Sequence, residues 1–182
     1  MAQKATIFKA ELNVADMDRN HFAVHFLTLA RHPSETDERM MVRMLAFALN
    51  ANDALTFGRG LASEDEADLT QRDLTGSIQL WIDVGLPDEK SLRKASGRAE
   101  RVIVYAYGGR AVDLWWNKNR DTLERLRNFS ACALSLEDSQ ALARLAQRTM
   151  TLQCTVQDGQ IWFSSANETV PISLSVLQRQ PV

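Results

Sequence analysis

The stretch IQLWIDVGLPDEKSLRKA, Ile78–Ala95, decides how this chain of 182 residues is read. IQLWIDV is apolar and strand-like, Gly85 interrupts it, LPDE makes a turn, and KSLRKASGRAE has helical spacing behind an Asp88 cap. Side chains two apart share a strand face. Gln79, Trp81 and Asp83 therefore point one way, and Ile78, Leu80, Ile82 and Val84 the other. Asp83 closes the more polar row, just ahead of a helix that carries Lys90, Arg93 and Lys94. A carboxylate at a strand end can hold Mg²⁺, and a lysine two residues on would offset the charge of a bound phosphate. Gly85 stands where that lysine would be. Lys90 and Lys94 are one helical turn apart, and Lys94, beside Leu92 and Ala95, lies nearer the packed boundary. Taken alone, each is better read as an exposed lysine whose stem covers the helix edge.

Upstream, ATIFKAELNVAD and HFAVHFLTLA alternate with period two around the loop DMDRN, which predicts a long antiparallel hairpin. Ile7, Leu12 and Val14 are the expected apolar positions of the first strand, and Phe22, Val24, Phe26 and Thr28 share one side of the second. RHPSETDERMMVRMLAFALNA then predicts a helix opening near Ser34 and Asp37, with Glu35 and Glu38 in its first turn. Met40, Met41, Met44, Leu45, Ala48 and Leu49 are its inner residues. ALTFGRGLA reads as a short strand with glycine bends, and SEDEADLTQRDLTG as an acidic loop in which Glu66 and Asp68 are candidate second metal ligands.

Downstream, RVIVYAY is a continuous apolar run of the kind central strands show, ended by Gly108-Gly109. DLWWNKNRDTLERLR predicts a helix with Leu114, Trp115, Leu123 and Leu126 inward, FSACALS a strand, and SLEDSQALARLAQR a further helix. Asp158-Gly159 between two alternating runs is a strong hairpin signal, and VPISLSVLQRQPV suggests an edge strand. Strands interleaved with helices, plus outlying hairpins, predict an α/β (α+β) mixed-sheet fold in a single domain over residues 1–182.

Composition narrows the function class. No apolar run reaches the roughly 20 residues a membrane-spanning helix needs, and the N-terminus lacks a signal peptide's apolar segment. A soluble, cytoplasmic protein is expected. Cys132 and Cys154 have no CxxC partner and read as buried free thiols. Net charge is −2, but it is unevenly spread. Residues 1–89 carry 8 Lys/Arg against 15 Asp/Glu, whereas residues 90–148 carry 12 against 6. Two oppositely charged solvated faces account for this simply; a metal site beside a phosphate-binding surface would also produce it.

The remaining candidates are weaker. His21 and His25 lie four apart on a strand, a spacing that predicts one shared face but too great a separation for zinc ligands. With His32 they form at most a loose cluster. Arg31, Arg39 and Arg43 are candidate phosphate contacts, but Arg39 and Arg43 suit an exposed stripe of the helix equally well. Trp115 and Trp116 suit one core and one rim position better than base stacking. GGR after RVIVYAY lacks the spacing of a nucleotide-binding loop.

ATIFKAELNVADMDRNHF, LTLARHPSETDERMMVRMLAFAL, FGRGL, LWIDVGLPDEK and RTMTLQCTVQDGQIW, in this order, give the chain a resemblance to the YaeQ family of bacterial proteins over essentially its whole length. The resemblance implies a restriction-endonuclease-like fold of the PD-(D/E)XK nuclease superfamily, with core order helix, three strands, helix, strand. It implies Asp68 and Asp83 as Mg²⁺ ligands, Glu35 as an acid that orients a water or a second metal, and Lys94 as a migrated substitute for the motif lysine. Ala67 replaces the motif proline, Asp83 the family's glutamate and Gly85 the lysine. Two functions follow as expectations. One is a metal-dependent nuclease acting on nucleic acid phosphodiesters. The other is a catalytically inactive nuclease-fold binding protein associated with transcription.

Overall fold

A computed structural model describes residues 4–59 and 65–180. In chain order the elements are β1 (Thr6–Asp16), β2 (His21–Arg31), α1 (Asp37–Asn50), β3 (Leu55–Phe57), β4 (Leu69–Arg72), β5 (Ile78–Val84), α2 (Glu89–Arg98) and β6 (Ala99–Ala106). They continue with α3 (Arg110–Leu123), β7 (Phe129–Leu134), α4 (Leu136–Arg144), β8 (Thr149–Gln157), β9 (Gln160–Ser164), β10 (Thr169–Ile172) and β11 (Leu174–Gln178). The result is a mixed α/β protein with two mixed sheets and two compact units. The glycine bend expected at Gly60 and the first acid of the SEDEAD run, Glu64, lie outside the described residues. Among the described residues no helix is long and apolar enough to cross a membrane.

One unit is built on the five-stranded sheet β10-β9-β8-β1-β2, with α1 and most of α4. β1 runs antiparallel to β2 and parallel to β8. Its buried row is Phe8, Ala10, Leu12 and Val14, so Ile7, at 44% exposure, belongs to the outer face. The expected β2 row of Phe22, Val24 and Phe26 does share a side, but that side faces solvent. The inner row is His21, Ala23, His25, Leu27 and Leu29, whose smaller or polar members conceal it in a hydrophobicity pattern. At the hairpin end, Arg19 Nε donates to Asp16 Oδ2 at 2.7 Å. Its terminal nitrogens donate to the Ala48 and Ala51 carbonyls, so a loop arginine satisfies acceptors that the end of α1 leaves open.

Helix α1 starts later than the sequence suggests. Thr36 is its N-cap, accepting from Arg39 N at 3.1 Å, while the Ser34 hydroxyl is engaged with His32 Nδ1 at 2.6 Å. Glu35 therefore precedes the helix instead of lying in its first turn. Met40 to Ala48 are all buried, including Val42, Arg43, Ala46 and Phe47, which helical spacing alone places on other faces. α4 joins α1 through Ser139 Oγ, which donates to Glu38 Oε1 at 2.6 Å.

The other unit is built on the six-stranded sheet β11-β7-β6-β5-β4-β3. β5, β6 and β7 run parallel, and the remaining pairs are antiparallel. The expected strands near Thr56, Ile78, Val102 and Ala131 are all present. β4 is an addition: LTQR has only Leu69 as a buried apolar residue, so it resembles loop. α2 and α3 pack on one face, where Leu92, Ala95, Val112, Trp115 and Leu123 meet Val102, Val104 and Phe129. Leu114 is 61% exposed and belongs to the outer side of α3, whereas Trp115 is buried and Trp116 partly so. The C-terminal segment supplies two edge strands, β10 in one sheet and β11 in the other.

Candidate functional site

The geometry around Asp83 follows from the pairing of β4 and β5. Leu69 faces Ile82 in that antiparallel pair, which brings Asp68 opposite Asp83 one step further along. Asp68 N donates to Asp83 Oδ1 at 3.3 Å, and Asp68 Oδ2 accepts from Val84 N at 2.8 Å. Trp81 Nε1 donates to Asp83 Oδ2 at 2.9 Å. Each carboxylate is thus oriented by a donor from the facing or the same strand. Asp68 is 4% exposed, while Asp83 is half-buried, as is Glu66.

Gly58 fixes the backbone that carries Asp68. Its N–H donates to Asp68 O at 2.8 Å, and a Cβ there would meet the Ala67 carbonyl oxygen at 2.2 Å. Only glycine permits that approach. Gly85, at the position of the missing lysine, has φ +95° and donates its N–H to Tyr105 O at 2.9 Å.

Lys94 forms an ion pair with Asp65, three residues before Asp68. The hydrogen bond and charge of Lys94 hold the Asp65 carboxyl below the usual carboxylate range, with a further contribution from the charge of Arg98. Arg98 donates to Asp65 O at 3.4 Å and places its guanidinium 5.3 Å from the centre of the Trp81 ring. Cations of α2 therefore converge on the loop before Asp68 and on the indole that orients Asp83. Trp81 and Arg98 were not singled out from sequence. The signals available were the i, i+2 spacing of Trp81 to Asp83 and the i+4 spacing of Arg98 to Lys94.

Glu35 belongs to the unit that contains α1. Its Oε1 accepts from Arg43 Nε at 2.8 Å and Arg39 Nη1 at 3.0 Å, and its Oε2 from Arg43 Nη2 at 2.8 Å. Arg43 has no exposed surface and also donates to the Ala30 carbonyl. Orienting a water or a metal would require Glu35 to give up part of this set.

His21 and His25 correct the sequence reading. Their Nε2 atoms are 3.1 Å apart and their ring centroids 5.4 Å apart, so the rings meet end to end, with only Ala23 between them on that face.

Comparisons with known proteins agree on the family. Residues 1–174 match the family model described as YaeQ protein. The chain belongs to the YaeQ family. The uncharacterized protein YaeQ of Salmonella typhi is 47% identical over 98% of this chain and 99% of its own length, and that of Escherichia coli K12 is 45% identical over the same shares. The YaeQ crystal structure from Xanthomonas axonopodis pv. citri superposes with a TM-score of 0.91 at 48% identity, covering 94% of this chain and 97% of that one. The YaeQ structure from Pseudomonas syringae gives 0.91 at 34% identity, covering 96% and 97%.

Proposed function

We propose that this YaeQ-family protein is a Mg²⁺-dependent, nuclease-like phosphodiesterase acting on nucleic acid. The observation that supports this reading is the facing pair Asp68 and Asp83. Two carboxylates are hard oxygen donors, and Mg²⁺ is commonly held by one or two carboxylates, with water and substrate oxygens completing its shell. The donor set therefore fits. Among the described residues no cluster of three or more His, Cys, Asp or Glu is suited to a metal, so the shell would rely on those other oxygens.

In this reading Asp68 and Asp83 hold the ion, which when bound would supply Lewis-acid stabilisation of a phosphoryl oxygen. Val84 N–H and Trp81 Nε1 keep the carboxylates aimed. Lys94 offsets charge on the scissile phosphate after exchanging its Asp65 partner for the substrate. Removing a preorganised charge-stabilising group costs about 10²–10³ in rate, so Lys94→Ala should lower cleavage by that order.

Gly85 favours a second reading, in which the same surface binds nucleic acid without cutting it and acts in transcription. The test is Mg²⁺ and Mn²⁺ calorimetry on the full chain and on Asp68→Asn and Asp83→Asn, followed by cleavage assays on single- and double-stranded DNA and RNA. Metal binding lost in both variants, with wild-type cleavage that Lys94→Ala depresses, supports the enzyme. Binding of metal and nucleic acid without cleavage supports the second reading. No metal binding by the wild type removes the nuclease proposal.

A further inference from the structure

We propose that His21 and His25 form a site for one exchangeable divalent transition ion, Zn²⁺ or Cu²⁺, separate from the Asp68–Asp83 pair and not dependent on it. The two Nε2 atoms are 3.1 Å apart. Two imidazole nitrogens bound to one Zn²⁺ at their ordinary bond lengths, with coordination angles between square and tetrahedral, stand about 2.9–3.4 Å apart. The pair already has that separation; with ring centroids 5.4 Å apart the two nitrogens face each other, and each ring turns to one side to bring its lone pair onto a shared ion.

Several features hold it there. Ala23, between the two histidines on the inner row of β2, offers only a methyl group, so the rings lean together with planes 15° apart. His25 packs edge-on against Phe47 of α1, with centroids 5.2 Å apart. Without an ion, one Nε2–H donates to the other Nε2, so a single proton bridges the pair. When an ion binds, the donor ring's Nε2 proton passes through water to its own Nδ1, so both rings stay neutral and both Nε2 lone pairs turn to the ion. Both histidines are half-buried, which leaves room for water to complete the shell.

Imidazole selects Zn²⁺, Cu²⁺ or Ni²⁺ over Mg²⁺, whereas carboxylates suit Mg²⁺. Only two protein ligands are assigned, so the ion is held loosely and exchanges with solvent, unlike a four-ligand structural zinc.

The experiment is a Zn²⁺ titration of the full chain by calorimetry, with Mg²⁺ in excess to occupy carboxylate sites. Parallel titrations use His21→Asn, Ala23→Leu and Asp83→Asn, with circular dichroism melts to establish folding. His21 is the first residue of β2, and the melts establish that its replacement folds. Ala23→Leu keeps both ligands but wedges them apart. One Zn²⁺ per wild-type chain is expected, weakened roughly tenfold or more in His21→Asn and in Ala23→Leu but unchanged in Asp83→Asn. Electron paramagnetic resonance of the Cu²⁺ form should show two equivalent imidazole nitrogens. Equal Zn²⁺ affinity in wild type and His21→Asn, or no saturable binding by the wild type, overturns the proposal. Loss of Mg²⁺ binding in Asp83→Asn with this site intact would separate the two sites.

Discussion

Arg43, with no exposed surface, grips both carboxylate oxygens of Glu35, which is 7% exposed. Breaking a buried pair from one side strands the other charge, at a cost of about 3–5 kcal/mol. Glu35→Gln should therefore lower unfolding free energy by that order in urea melts monitored by circular dichroism. Arg39→Ala, which removes a partner 16% exposed on its side chain, should cost well under half as much. If Glu35 serves chemistry alone, Glu35→Gln would leave the urea midpoint where it was.

The two faces of β2 make a second contrast. Leu29 is fully buried and Phe26 is 80% exposed. Leu29→Ala should cost about 2–5 kcal/mol, whereas Phe26→Ser should stay within about 0.5 kcal/mol of wild type. Thermal melts distinguish them directly. A large loss from Phe26→Ser would mean that the outer face is covered in the folded protein.

The β2 contrast also shows where the sequence is legible. Alternation revealed the β1–β2 hairpin and grouped Phe22, Val24 and Phe26 on one side, but it did not show that this side is the outer one, because the inner row contains two histidines and an alanine. Helical spacing located α1 but could not show that Arg43 is buried, since the charge is tolerated only through Glu35 and the Ala30 carbonyl. Asp83 was visible from strand parity and the turn after it. Asp68 was one of several acids in a charged run until family resemblance singled it out. Its place opposite Asp83 depends on β4, whose polar LTQR sequence gives little strand signal. The histidine contact was missed because Cα spacing was weighed without the small residue between.

The cysteines give a prediction in pH. Burial pushes the thiols of Cys132 and Cys154 up to about 12, from an ordinary value of 9.0. At pH 8 the native thiolate fraction is then roughly 10³-fold below that of the unfolded chain, and iodoacetamide labelling should slow by a similar factor. Both thiols are neutral in either state below pH 9, so their contribution to stability is complete there. Above pH 9 the unfolded chain loses these protons first, and stability falls as pH rises toward 12. Labelling of native protein at pH 8 as fast as in denaturant would show the thiols to be open to solvent.

Restoring the motif lysine at Gly85 tests whether its absence is a simple deletion. The φ of +95° is one that side chains rarely adopt, although the nearest atom to an added Cβ, Tyr107 Cε1, is 3.8 Å away. The penalty is therefore one of backbone conformation, of order 1–3 kcal/mol for any non-glycine residue. Gly85→Ala and Gly85→Lys should lose similar stability, each kcal/mol lowering the melting temperature by about 2–4 °C in a chain of this size. At φ +95° position 85 has left the extended backbone that keeps Trp81 and Asp83 in one row, so cleavage of nucleic acid should not rise in Gly85→Lys. A gain in turnover, measured on folded variant with Gly85→Ala as the control, would mean that the lysine reaches the phosphate after all and that its loss alone had silenced the site.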